Sequence, residues 1–203
     1  MRTIILWVLL GFFLGAVPFA YIMVKLALDK DVRDFGDGNP GGMNAWRAGG
    51  WKVGSLVIIL DILKGLLPVG LAHFNYGIGG WTIVPIALAP ILGHAYSPFL
   101  DFKGGKSVSV TYGVWAGLTG WQGPLIFAAC QGAFLVIMAS DAWITVLGMV
   151  AGSLVMYGFG YEVPFVTLAA ANALIFAERY RRTLVMGPKF RLHRPFKWID
   201  QGL

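Results

Sequence analysis

The sequence predicts an all-α integral membrane protein of about seven transmembrane helices, with the N-terminus outside and the C-terminus cytoplasmic. Three observations predict it. Of the 203 residues, 57% are hydrophobic and only 13% charged, and the mean hydropathy is +0.70. Soluble domains carry about a quarter charged residues, so a soluble fold of this length could not hide so much apolar surface. Second, apolar runs long enough for helices alternate with short polar segments along the whole chain. Third, the cations cluster in every other polar segment, the pattern left by a chain that threads a membrane with its positive loops inside.

The first apolar run, Ile4–Tyr21 extending to Leu28, is long enough to cross a bilayer, which needs about 20 residues. Arg2 ahead of it gives a faint likeness to a secretion leader. The length of the run, Pro18 within it and the want of a small-x-small cleavage site favour a retained helix. Lys25 can extend from its far end toward headgroups. A polar loop, 29–52, follows. The second span, Val53–Ala72, contains Asp61 and Lys64, and a charge at mid-helix costs roughly 3 kcal/mol by insertion scales. A spacing of three puts both on one face, where they can pair. Such a pair is either a self-neutralising structural feature or the support beneath a polar site.

A turn over His73–Gly80 leads to the third span, Trp81–Leu92 and flanking residues, which Pro85 and Pro90 are expected to break. A second polar island, 93–107, precedes a short fourth span at Val108–Leu118. Leu125–Ala139, Trp143–Phe159 and Val163–Ala177 complete the set, and a basic tail, 179–203, ends the chain. Glycines spaced by four at Gly11/Gly15, Gly113/Gly117 and Gly148/Gly152 suit close helix packing in lipid. Neither a long internal repeat nor a dividing linker is evident, so one membrane domain over 1–203 is expected.

Orientation follows from the cations. The first loop holds Lys30, Arg33, Arg47 and Lys52, and the island holds Lys103 and Lys106. The tail holds Arg179, Arg181, Arg182, Lys189, Arg191, Arg194 and Lys197. The alternate turns carry no lysine or arginine. Both loops and the tail therefore face the cytoplasm, and Arg2 alone falls on the other side. This topology also accounts for the net charge of +6, so no nucleic-acid partner is expected. The single cysteine, Cys130, lies in an apolar run and excludes an internal disulfide.

The chemistry concentrates in Arg33–Arg47, RDFGDGNPGGMNAWR. Its glycines let backbone N–H groups approach an anion, and Asn39, Asn44 and Arg47 add donors. Gly36, Gly38 and Gly41 match G-x-G-x-x-G, but a dinucleotide fold needs a strand before and a helix after in a βαβ unit, and membrane spans flank this loop. The segment is either a flexible interhelical turn or a phosphate cradle, and the flanking arginines favour the cradle. In the second island Lys103–Ser107 reads KGGKS, like the end of a nucleotide-binding P-loop. The earlier glycine that motif needs falls at Leu100, so ATP binding is not expected. Lys103 and Lys106 around Gly104 and Gly105, at a helix start, still suit a phosphate; ordinary lysine anchoring at the membrane surface is the plainer alternative. His94 opens the island. The His-x4-Asp base of many glycerolipid acyltransferases is excluded, because the fifth residue after His94 is Phe99. His73, His94 and His193 are too scattered for a metal site, and no cofactor is implied.

These segments resemble the bacterial acyl-phosphate:glycerol-3-phosphate acyltransferase family, integral membrane enzymes with seven spans. Its first motif, GSGN-x-G-x-x-N-x-x-R, is met by Gly36, Gly38, Asn39, Gly41, Asn44 and Arg47, with Asp37 in the place of the serine. Its D-x-x-K-G is met by Asp61, Lys64 and Gly65. Its GH-x-(F/Y)-x-x-F-x-x-F-K-G-G-K is met by Gly93, His94, Tyr96, Phe99, Phe102, Lys103, Gly104, Gly105 and Lys106. The third motif, N-x-x-R-x-x-x-G-x-E, is approximated only by Arg181, Arg182 and Gly187, and Thr145 stands near a serine of the sixth span. The resemblance implies transfer of a fatty acyl group from acyl phosphate to the 1-hydroxyl of glycerol 3-phosphate, giving lysophosphatidate at the inner face of a bacterial cell membrane. Arg47, His94 and Lys106 are then the catalytic candidates. Gly36, Asp37, Gly38, Asn39, Gly41, Asn44, Lys103, Gly104, Gly105 and Thr145 are the binding candidates, with Asp61 and Lys64 in support. The family lacks a conventional protein base, and the substrate phosphate can take the proton. Asp37 opposes a phosphate unless a cation compensates or its carboxyl is protonated. A relative that binds a phosphorylated lipid or solute without transfer is the alternative. A transporter fits less well, since few polar residues fall at mid-membrane.

Overall fold

A computed structural model describes residues 1–191. Arg194, Lys197 and His193 of the basic tail lie outside the described residues. Nine α-helices occur among the described residues: α1 (Arg2–Ala16), α2 (Phe19–Leu28), α3 (Gly42–Gly70), α4 (Ile83–Ala95), α5 (Val108–Thr119), α6 (Gln122–Ile137), α7 (Asp141–Gly158), α8 (Val163–Arg179) and α9 (Arg181–Leu184). The protein is an all-helical, multi-pass membrane protein. Among the described residues four segments are long and apolar enough to cross a bilayer, 2–28, 42–75, 80–100 and 141–158, and α6 is a shorter apolar helix. The seven apolar stretches read from sequence all become helical. The 12-residue α5, however, extends only about 18 Å, well short of a hydrocarbon core of about 30 Å.

Local sequence explains the departures from straight helices. Pro18 cannot donate its amide, so the first predicted span divides into α1 and α2. The carbonyls freed at the break find side-chain donors: Ser97 Oγ reaches Ala16 O at 2.6 Å and Lys64 Nζ reaches Val17 O at 2.9 Å. By contrast, α4 runs unbroken through Pro90, and Pro85 sits in its first turn, where a missing N–H costs little. The third predicted span is therefore not broken. The first polar loop is also more ordered than expected, because α3 begins within it at Gly42. At Gly50 the backbone turns to φ 71°, which only glycine adopts easily, and the chain doubles back. Trp46 then packs on Gly54, and Ile58 lies against Gly42. The result is a short helical arm, 42–49, folded onto the membrane helix 51–70.

Close backbone approaches hold the bundle. A Cβ on Gly15 would collide with Pro90, and one on Gly93 with the carbonyl of Phe12, so α1 and α4 cross at glycine contacts. Gly65 meets the carbonyl of Val110 and Gly113 that of Ile62 in the same way, at the α3–α5 crossing. Gly148 and Gly152 of α7 admit Gln131 and Phe127 of α6. All three glycine pairs singled out by their spacing of four lie at helix contacts. The main core gathers Ile83, Ile86, Val114, Trp115, Phe127, Met149, Leu168 and Phe176.

Candidate active site

The two polar segments and the chain after α8 converge on one cavity of about 1160 Å³. Gly36, Asp37, Asn39, Gly41, Asn44 and Arg47 line one side. His94 comes from the end of α4, Lys106 and Ser107 from the second island, and Asp141 and Thr145 from the start of α7. Tyr180 and Thr183 close it from the end of α8 and α9, and Asp61 lies at its base.

Within the first segment the geometry is set by short-range bonds. Gly36, at φ 58°, leaves room where a side chain would strike Asn44 and Arg47. Asn44 and Arg47 are three apart on the helical arm, and the guanidinium donates to Asn44 Oδ1 at 2.7 Å. That contact fixes the amide so that Asn44 Nδ2 donates to Asp37 Oδ1 at 2.8 Å and to the Asn39 carbonyl at 2.9 Å. The Asn39 N–H donates to the same Asp37 oxygen at 3.2 Å. Across the cavity, Lys106 Nζ lies 2.7 Å from Asp37 Oδ2 and 3.3 Å from Asp141 Oδ2, and 4.4 Å from the centre of the Tyr180 ring. Burial alone would raise the Asp37 carboxyl, but Lys106, Asn44 and the Asn39 N–H outweigh it and hold it below the usual carboxylate range. Lys106 is displaced upward: burial lowers it, and Tyr180, Asp37 and Asp141 more than compensate. The Asp37 carboxyl is thus favoured in its charged form, and Lys106 is the cation that compensates for it.

Beneath the cavity, Lys64 Nζ lies 2.7 Å from Asp61 Oδ1, with both side chains 3% exposed. His94 Nδ1 is 3.7 Å from the same oxygen. Lys64 stitches the α1–α2 break, while Asp61 faces the cavity.

Some expected site residues lie elsewhere. Gly38, Lys64, Lys103, Gly104 and Gly105 do not line the cavity. The Gly104 and Gly105 N–H groups donate to the carbonyls of Ala95 (3.2 Å) and His94 (3.0 Å), so they are unavailable to an anion. Their carbonyls accept from Arg179, Nη2 to Gly104 O at 2.7 Å and Nε to Gly105 O at 3.1 Å. The Gly-Gly turn is a clamp point for α8 rather than a phosphate cradle. Arg33, a flank of the first segment, forks Asp31 through bonds of 2.6 to 3.0 Å.

Sequence reasoning missed Asp141, Tyr180 and Thr183. Asp141 carries no local signal, but the other two do. Setting the third motif on Gly187 places Tyr180 at its asparagine, Thr183 at its arginine and Lys189 at its glutamate. The structure supports that register, since Tyr180 and Thr183 face the cavity. Arg181 and Arg182 are exposed, with Arg181 3.9 Å from Glu178.

A glycerol-3-phosphate acyltransferase family profile matches residues 5–185. Glycerol-3-phosphate acyltransferase 1 of Thermotoga maritima is 44% identical over 117 residues, which cover 57% of each chain. The glycerol-3-phosphate acyltransferase of Anaeromyxobacter dehalogenans is 34% identical over 185 residues, covering 87% of this chain and 91% of its own. The crystal structure of PlsY (YgiH), an integral membrane glycerol 3-phosphate acyltransferase, in its glycerol 3-phosphate form superposes with a TM-score of 0.82 at 30% identity. That match covers 94% of this chain and 96% of the other. Its lysophosphatidic acid form gives 0.79 at 29% identity over 90% of each chain. Profile, relatives and structural match agree, and the chain belongs to the glycerol-3-phosphate acyltransferase family.

Proposed function

We propose that this protein transfers a fatty acyl group from acyl phosphate to the 1-hydroxyl of glycerol 3-phosphate, forming lysophosphatidate for phospholipid synthesis. The observation that carries this reading is the convergence of Asn39, Asn44, Arg47, His94 and Lys106, from segments far apart in sequence, on one cavity. Both substrates bear phosphate, and the cavity offers a guanidinium, an ammonium, amides and loop N–H groups to receive it. The acceptor oxygen attacks the acyl carbonyl, the carbonyl–oxygen bond to phosphate breaks, and inorganic phosphate departs with the hydroxyl proton. Arg47 and Lys106 neutralise charge developing on the leaving phosphate, and His94 orients the reacting groups. Gly36, Gly41 and Thr145 shape the cavity. Gly38 holds the first segment by its 3.1 Å bond to the Phe35 carbonyl. Gly104, Gly105 and Lys103 set the position of Lys106.

One membrane domain with seven spans, N-terminus outside, puts this cavity on the cytoplasmic face of a bacterial cell membrane. The cation distribution supports that orientation. The test is phosphate release by purified protein given acyl phosphate and glycerol 3-phosphate. Release that needs both substrates is expected, and Arg47→Ala should lower kcat/KM by roughly 100-fold or more while the thermal midpoint holds. An Arg47→Ala enzyme with near-normal turnover would defeat the assigned role.

A second reading has one specific observation in its favour. The Asp37 carboxylate already sits on Lys106, as it would in a relative that binds phosphorylated molecules without transfer. Saturable binding of both substrates with no phosphate release would decide for it.

A further inference from the structure

Asp37 is held by three contacts from two segments. Oδ1 accepts from Asn44 Nδ2 at 2.8 Å and from the Asn39 N–H at 3.2 Å, and Oδ2 meets Lys106 Nζ at 2.7 Å. An amide, a loop N–H and an ammonium are the donor set that the cavity offers a phosphate. Carboxylate and phosphate oxygens draw on such donors alike. The surrounding charge points the same way. The cavity and its base hold three cations, Arg47, Lys64 and Lys106, against three carboxylates, Asp37, Asp61 and Asp141. Among these six groups no surplus positive charge is left for an incoming dianion.

We propose that Asp37 is a resident anion in this cavity: its carboxylate occupies the phosphate subsite, and a substrate phosphate binds by displacing it from Lys106, Asn44 and Asn39. The identity of the substrate rests on the function proposed above; the competition holds for any phosphate. Displacement is geometrically open. The Asp37 side chain is 49% exposed and can turn to water, whereas Lys106, at 21%, stays in place against Asp141 and the Tyr180 ring. Arg47 keeps Asn44 oriented throughout. Asp37 therefore determines specificity. A ligand without an anionic group has nothing to exchange for the carboxylate, so neutral molecules do not gain full access to Lys106.

The test measures binding of inorganic phosphate and of glycerol 3-phosphate to the full chain in detergent by calorimetry. Asp37→Ser and Asp37→Asn should each lower the phosphate Kd roughly tenfold. Asp141→Asn removes an equal charge from the other partner of Lys106 but leaves the Asn44 and Asn39 donors occupied by Asp37, and should lower it by clearly less. Two shape classes at position 37 guard against a variant that folds poorly, and thermal unfolding of each reports integrity. Unchanged or weaker phosphate binding in folded Asp37 variants overturns the proposal. An equal gain from Asp141→Asn also overturns it, because the effect would then be general charge. Tighter inorganic phosphate with no glycerol 3-phosphate binding sustains the resident anion and defeats the proposed acceptor instead.

Discussion

Lys64 shows how one side chain can be fixed by two needs. Its ammonium lies between Asp61 and the Val17 carbonyl, over the Phe19 ring, and is almost fully buried. Removing Asp61 leaves that charge without its counter-ion, and breaking a buried pair costs about 3–5 kcal/mol. Asp61→Ala should therefore lower the thermal midpoint in detergent markedly. Pairing it with Lys64→Met should recover part of the loss, and a double variant no better than the single would show that the charge is not the cause. The i, i+3 spacing made this pair visible in the sequence. Its bond to Val17 was not visible, because Pro18 announces a helix break without saying which distant side chain will meet the carbonyls left there. Asp37 and Lys106 carry a pH prediction. The folded carboxyl lies below its ordinary 3.8, so the stability it confers is present above that value and fades as pH falls through the folded one. Lys106 lies above its ordinary 10.5, so its share is complete below that value and fades as pH rises through the folded one. The gap in thermal midpoint between wild type and Asp37→Asn should be level from about pH 5 to 9 and close at both extremes.

At the scale of elements, crossings and clamps decide the shape of the site. Gly113 of α5 lies on the Ile62 carbonyl of α3, and no small shift of a flexible side chain can make room for a Cβ there. Gly113→Ala should push the two helices apart and lower the thermal midpoint strongly, while Gly132→Ala, which meets open space, should not. Equal midpoints would remove the crossing from the account. The glycine spacing predicted such contacts but not their partners. Arg179 is the other fixed point: it forks the Gly104 and Gly105 carbonyls and lies 5.5 Å from the centre of the Tyr96 ring. It acts on the site through Lys106, two residues further on, without lining the cavity. Arg179→Lys replaces a rigid fork with a single point charge. It should lower kcat more than it changes KM, and Arg179→Met should lower it further. A pure stability loss, with kcat per folded molecule unchanged, would make Arg179 structural only. In sequence this residue looked like one more cation of the tail. Its role depends on a turn more than seventy residues earlier and could not be read locally.

The whole molecule sorts its polar chemistry to one end. The first loop, the second island, the α6–α7 link and the chain after α8 all line the one cavity proposed as the active site, although they are spread from Phe35 to Thr183. The α5–α6 turn at Trp121 and the α7–α8 turn at Phe159–Glu162 instead meet around a separate depression of about 630 Å³. The sequence predicts alternation because a chain that crosses a bilayer must return its loops to alternating sides, and the cations are expected to mark one side. Convergence was not legible, since alternation does not say which loops meet. Helix length was misleading for the same kind of reason: α5 is too short to qualify alone yet runs from the cavity to the Trp121 turn. The orientation we propose has a direct check. With Cys130 changed to serine, single cysteines at Tyr76, Trp121, Lys52 and Arg182 can be tested with a thiol reagent that does not cross membranes. Tyr76→Cys and Trp121→Cys should react in intact cells, and Lys52→Cys and Arg182→Cys only once the membrane is opened. Trp121 carries the sharper decision. If α5 does not cross, Trp121→Cys stays protected with the cytoplasmic pair while Tyr76→Cys reacts, and the seven-span topology falls; if all four reverse, the topology stands and its direction is wrong.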